Sequence, residues 1–237
     1  MLLLAACGSG DSAAAPRRVV VFAASSLTAA FEALATGFEQ RHPGVDVELH
    51  FAGTPQLVLQ LREGAPADVF AAADTVHMQK VVAAGRTAAA PATFARNGLA
   101  IVVAAGNPKG VASLADLARG DLRVALCGPE VPAGRYARQA LAQAGVTVRS
   151  LSDEPNVKAL LGKVRLGELD AGIVYRTDTR DPGVTGIDLA AAHDVVAEYP
   201  IAALTNGPAA DLAGAFVGYV CSADGARVLA GFGFRGP

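Results

Sequence analysis

Short apolar runs alternate along this chain with stretches whose apolar residues recur every three or four positions. Val19-Val20-Val21-Phe22-Ala23 is rich in β-branched residues and predicts a buried strand. Leu27, Phe31, Leu34 and Phe38 then fall on one helical stripe, which Ser25 or Ser26 would cap and His42-Pro43-Gly44 would end. Val45, Val47, Leu49 and Phe51 alternate with polar residues, as a strand does. Thr54-Pro55 predicts a helix start, with Thr54 as the cap and Pro55 in the first turn of a helix over Gln56 to Glu63. Asp68-Val69-Phe70-Ala71 reads as a strand, followed by a helix from about Thr75 to Ala84.

The same rhythm restarts at Leu99 to Ala104, a strand. Ser113 and Asp116 have capping-box spacing before a short helix. Strands follow at Arg123 to Cys127 and Ala171 to Tyr175, and helices at Ala133 to Ala144 and Asn156 to Gly167. Val195 to Leu204 is extended, and the tail from Ala209 is helical. Alternating β and α elements with continuous apolar strands predict an α/β protein with mainly parallel sheets flanked by helices. Two lobes are expected, one from 17–93 plus 205–237 and one from 94–204, with crossings near Arg96–Leu99 and Pro200–Leu204.

Composition narrows the classes. Of 237 residues, 52% are hydrophobic and 18% charged, enough for a packed core and too few charges for a disordered chain. A net charge of −2 with no basic block and no Trp argues against a nucleic-acid partner. Met1-Leu2-Leu3-Leu4-Ala5-Ala6-Cys7-Gly8 reads as the end of a lipoprotein signal peptide, with 1–16 as remnant and tether and a diacylglycerol anchor on Cys7. No later run reaches the roughly 18 apolar residues of a membrane span, so the body reads as soluble. Cys127 and Cys221 read as buried free thiols.

No enzyme constellation stands out. G-x-S-x-G, H-E-x-x-H and paired C-x-x-C motifs are absent, and His42, His50, His77 and His193 are scattered and read as surface residues. Gly231, Gly233 and Gly236 match G-x-G-x-x-G, but no helix follows to receive a phosphate. What remains is a set of small, hydroxyl-bearing strand-to-helix turns: Ala24-Ser25-Ser26-Leu27-Thr28, Ala52-Gly53-Thr54-Pro55-Gln56 and Val131-Pro132-Ala133-Gly134-Arg135-Tyr136. Each alone is an ordinary cap. Together, in two lobes, they describe an anion cleft, because helix N-termini carry free N–H groups and partial positive charge.

Five segments carry a resemblance. Val21-Phe22-Ala23-Ala24-Ser25-Ser26-Leu27-Thr28, Gly64-Ala65-Pro66-Ala67-Asp68-Val69-Phe70, Val131 to Ala137, Ala171-Gly172-Ile173-Val174-Tyr175 and Glu198-Tyr199-Pro200-Ile201 resemble, in order and spacing, the molybdate-binding proteins of bacterial ABC importers. The resemblance implies a two-lobed periplasmic-binding-protein-like fold with two hinge crossings, closing on molybdate or tungstate held by neutral hydrogen-bond donors. By position it implies contacts from Ser26, Thr54, Ala133, Val157 and Tyr175, with no bare metal cation, no cofactor and no catalysis. Thr54 stands where many members have Ser, and Pro55 removes one amide donor beside it. Asp153 and Glu154 lie just before Val157; some distant members wrap the anion octahedrally with carboxylates, and the other reading of both acids is solvation or support of the helix start. The implied partner is a membrane permease, and the implied setting is a monomer outside the cell membrane. The alternatives are a sulfate or phosphate receptor, an enzyme on the same scaffold, and a ligand-sensing regulatory domain.

Overall fold

The computed structural model describes residues 17–205 and 207–237; Cys7 and the lipoprotein-like start lie outside them. The chain runs through β1 (Arg17–Ala24), a 3-10 turn (Ser25–Leu27), α1 (Thr28–Arg41), β2 (Val45–Ala52), α2 (Thr54–Arg62), β3 (Val69–Ala71), α3 (Thr75–Ala83) and β4 (Ala92–Asn97). It then forms β5 (Leu99–Ala104), β6 (Val124–Cys127), α4 (Pro132–Gln143), β7 (Asp153–Glu154), α5 (Val157–Arg165), β8 (Ala171–Tyr175) and β9 (Val184–Asp188). Strand β10 (Ala197–Ala203) and helices α6 (Ala210–Val220) and α7 (Ala223–Gly231) follow. Two five-stranded sheets result, ordered β2-β1-β3-β10-β4 and β7-β6-β8-β5-β9.

Burial on both faces explains the continuous apolar strands. In β1, Val19, Val21 and Ala23 pack with Phe31, Leu34 and Phe38, the predicted stripe of α1. Phe22 points the other way, to Leu57, Leu61, Phe70 and Met78 under α2 and α3. A file of edge-to-face aromatic pairs runs through the first core: Phe38–Phe216, Phe216–Phe31, Phe31–Phe94, Phe94–Tyr199 and Tyr199–Tyr175, with ring centres 5.2 to 6.3 Å apart.

Strand direction follows from where the chain crosses. β1, β2 and β3 run parallel, as do β6, β7 and β8, and β10 and β5 run against their neighbours. The crossing from β4 to β5 passes through Gly98 alone. A strand that starts at the crossing end of a sheet must run opposite to strands that finish there, so β5 and β10 are each the reversed member.

Some expectations are corrected by the pairing. Residues 197–203 were expected in the second lobe, yet they sit between β3 and β4 in the first sheet. The first lobe's strands likewise extend past 93, to Asn97. The second crossing therefore precedes Ala197, and Pro200 lies not at a crossing but at a register shift in β10, where a residue without an N–H is tolerated. Thr54 is the first residue of α2, and Gly53 is its cap. Cys127 is buried as expected, its thiol pushed up to about 12 by burial, but Cys221 is exposed at the end of α6. His77 is buried, paired with Asp74 at the start of α3, because it has a carboxylate to satisfy it there.

Gly134 fixes how closely α4 approaches β6. A Cβ there would drive into the carbonyl oxygens of Cys127 and Gly128, which are backbone and cannot swing aside. Gly134→Ala is expected to destabilise the fold by about 1–3 kcal/mol, read as a lower midpoint in urea unfolding; a wild-type midpoint would show that the α4 start has room to shift.

Candidate functional site

Four helical starts meet in one cleft between the sheets. The cavity is small, about 10 Å³, and is lined by Ala24, Ser25, Ser26, Gly53, Thr54, Ala73, Val131, Pro132, Ala133, Asn156, Val157 and Tyr175. That is far below the roughly 300–1,000 Å³ of pockets for drug-sized ligands, so only a very small ligand suits it. All five sequence candidates line it. Ser26 belongs to the 3-10 turn after β1, Thr54 opens α2, Ala133 is second in α4, Val157 opens α5 and Tyr175 ends β8. Sheet topology explains the convergence: β1, β2, β6 and β7 each end beside the cleft, where the turn that follows presents a hydroxyl or an amide, and β8 ends there with Tyr175 itself.

The amides of Thr54, Ala133 and Val157 occupy first or second helical positions, where a helix offers no internal acceptor. Their partial positive charge points into the cleft. Pro55 supplies no amide at the second position of α2, so that start offers one donor fewer. Asn156 caps α5 by accepting from the Ala159 amide at 3.0 Å, which holds the Val157 amide at the wall. The Thr54 hydroxyl lies 3.4 Å from the Ala73 amide and accepts from it, leaving its proton free to be donated.

Ser26 Oγ lies 3.1 Å from the Tyr199 hydroxyl. When Tyr199 donates, the Ser26 proton is available to the cleft. Sequence reasoning gave Tyr199 no role, although it lies in the quoted Glu198-Tyr199-Pro200-Ile201 segment; only the sheet pairing of β10 brings it behind Ser26. Tyr175 is 1% exposed, and among the described residues its hydroxyl has no hydrogen-bond partner. Burial raises its pKa well above the ordinary phenol value, assisted by neighbouring tyrosines and Asp74, so it stays protonated and remains a donor.

Among the described residues, no cationic side chain, carboxylate or histidine lines the cleft. Asp153 is solvated and pairs with Arg138 at 2.8 Å. Glu154 is buried and bonded to Lys163 at 2.7 Å and to the Ser152 hydroxyl, which corrects its reading as a solvated acid. Neither acid reaches the cavity wall. The lobes touch directly at its edge, where a Cβ on Gly53 would collide with the carbonyl oxygen of Pro155. The arrangement can hold a small, fully deprotonated anion through hydrogen bonds alone.

Comparison with known proteins agrees with this geometry. The family model described as bacterial extracellular solute-binding protein matches residues 19–235. The chain is 42% identical to the molybdate-binding protein ModA of Mycobacterium bovis, over 99% of this chain and 93% of that one. Among solved structures, the periplasmic molybdate-binding protein of Azotobacter vinelandii superposes with a TM-score of 0.79 at 20% identity, covering 92% of this chain and 99% of that one. The sulfate-binding protein SubI of Mycobacterium tuberculosis gives 0.84 at 17% identity, covering 93% and 87%. At such identities the two structures speak for the fold alone, a mixed α/β architecture shared with periplasmic binding proteins. The match across residues 19–235, together with 42% identity over nearly the whole of both chains, decides the family: the chain belongs to the bacterial extracellular solute-binding proteins.

Proposed function

We propose that this protein captures molybdate, or its near-isosteric analogue tungstate, outside the cytoplasm and delivers it to the permease of an ABC importer. The observation that carries the reading is the Tyr175 hydroxyl, a buried, protonated donor without an acceptor among the described residues, facing a cleft walled by helix starts from both lobes. The molybdate-binding relative at 42% identity supports the same ligand. Ser26, Thr54 and Tyr175 would donate hydroxyls, and Ser26, Ala133 and Val157 backbone amides.

Molybdate is a dianion at neutral pH and offers acceptors only. A donor-only cleft suits it, whereas phosphate at that pH still carries a proton that needs an acceptor. Hydrogen bonds to charged groups contribute about 1.5–3 kcal/mol each. Less the costs of association and desolvation, several of them support an affinity between roughly micromolar and nanomolar. Sulfate, another tetrahedral dianion that offers acceptors only, is the second reading; it is the smaller anion, and a cleft sized for molybdate holds it loosely. Catalysis is not part of the proposal: a nucleophilic hydroxyl needs a base within reach, and the lining residues include none.

In this reading the lobes hinge about Gly98 and the residues just before Ala197, Cys7 carries the lipid anchor, and the protein acts as a monomer.

Saturating molybdate is expected to raise the melting temperature, because a ligand bound only by the folded state adds about 2.7 kcal/mol at one hundred times Kd. Calorimetric titration should then rank molybdate and tungstate above sulfate and phosphate; equal affinity for sulfate would move the assignment to the second reading. Ser26→Ala and Tyr175→Phe each delete one donor and keep most of the shape. Each is expected to weaken molybdate binding by roughly 1–3 kcal/mol with folding intact, and unchanged affinity in both would place the ligand elsewhere.

A further inference from the structure

We propose that Asp74 and Arg135 form a latch across the cleft, which holds the closed lobes over the anion and neutralises a carboxylate buried beside it. This rests on the oxyanion reading above for its ligand, but not for its geometry.

The two partners belong to different lobes. Asp74 follows β3 and caps α3, and Arg135 lies in the first turn of α4. Their side chains meet at 2.7 Å, with Asp74 fully buried and the Arg135 side chain 34% exposed. Both sit directly behind the cavity wall: Ala73 and Ala133, which line it, are one and two positions away. The surfaces that enclose the ligand are therefore the surfaces that carry the ion pair. Arg135 reaches Asp74 only when those walls have come together.

Asp74 is held ready for this contact from within its own lobe. It accepts from the His77 amide at 2.8 Å and from His77 Nδ1 at 3.0 Å. Burial alone would raise its pKa; the bonds from His77 and the charges of His77 and Arg135 outweigh burial and keep the carboxyl below its ordinary range. It is thus a fixed negative charge, and it is felt at the Tyr175 phenol. A dianion entering the cleft meets that charge at close quarters unless a cation covers it. Arg135 covers it, and its guanidinium packs over the Tyr136 ring at 5.0 Å, which keeps the fork in place. In an open protein Arg135 returns to water, while Asp74 keeps His77. The pair accordingly favours the closed state selectively, and a contact made only in the bound, closed form appears in the release rate.

The test is release of tungstate or molybdate followed by stopped flow, in wild type, Arg135→Gln, Arg135→Lys, Asp74→Asn and the Asp74→Asn/Arg135→Gln double variant. Arg135→Gln is expected to release the anion roughly tenfold faster with little change in association rate. Arg135→Lys should recover part of that loss. The double variant should lose no more than the worse single one, since each change breaks the same contact. A merely structural role would lower the melting temperature of the ligand-free protein and leave the release rate alone. Wild-type release from Arg135→Gln, or losses that add in the double variant, would overturn the latch. If the wild type binds none of the oxyanions, the oxyanion reading fails and the latch is judged by small-angle scattering of ligand-free protein: a larger radius of gyration in Arg135→Gln supports it, and an equal radius overturns it.

Discussion

An anion taken out of water loses hydrogen bonds that only donors can replace, and any unpaired acceptor left facing it adds to the loss. Most of the cleft follows from that constraint. Helix starts supply backbone donors without acceptors, so the proposed ligand site lies where several begin. Helices begin where strands end, so the two sheets must turn their strand ends toward each other. The hydroxyls of Ser26, Thr54 and Tyr175 then add donors where the amides stop. Burial serves the same end, since the desolvation that suits a tight cleft also keeps the Tyr175 proton on its oxygen.

The aromatic file gives this site a rigid back wall. Tyr199 stacks edge-to-face with Tyr175 at 5.6 Å and with Phe234 at 5.4 Å, and its hydroxyl meets Ser26. It rides on β10, the strand by which the chain returns to the first lobe. One ring thus touches the first lobe's hydroxyl donor, the second lobe's phenol and the tail beyond α7. Asp194, just before that return, reaches the Leu99 amide at 3.4 Å and lies near Arg176 and Arg235. The two crossings are consequently tied to each other as well as to the lobes.

Much of this was legible in the residues. Strands β5 and β8 fall where the apolar runs place them, and the stripe of α1 is buried as its spacing requires. The five candidate positions line one cleft because strand-to-helix turns are local events, written in a few neighbouring residues. Strands β4, β7 and β9 were not foreseen: Ala92–Asn97 and Val184–Asp188 mix polar and small residues, and Asp153–Glu154 is too short to carry a period. Residues 197–203 read correctly as extended but were placed in the wrong sheet, because no local pattern says which of two sheets a strand joins. The Asp74–His77 pair escaped for a similar reason. A histidine three residues after an aspartate signals a helix cap as easily as a buried ion pair, and only burial by the neighbouring elements decides between them.

Gly53 and the Pro155 carbonyl meet with no side chain between them. In the proposed closure, main chain would strike main chain there, and neither surface has a rotamer with which to yield. A cleft stopped in this way acts as a gauge rather than a glove. On the proposed reading the gap left for the anion is set by backbone thickness, so an ion would either span it and touch both sets of donors or fall short of one. Changes among the lining side chains can alter how strongly the right ion is held, but the diameter that counts as right is written into the path of the chain.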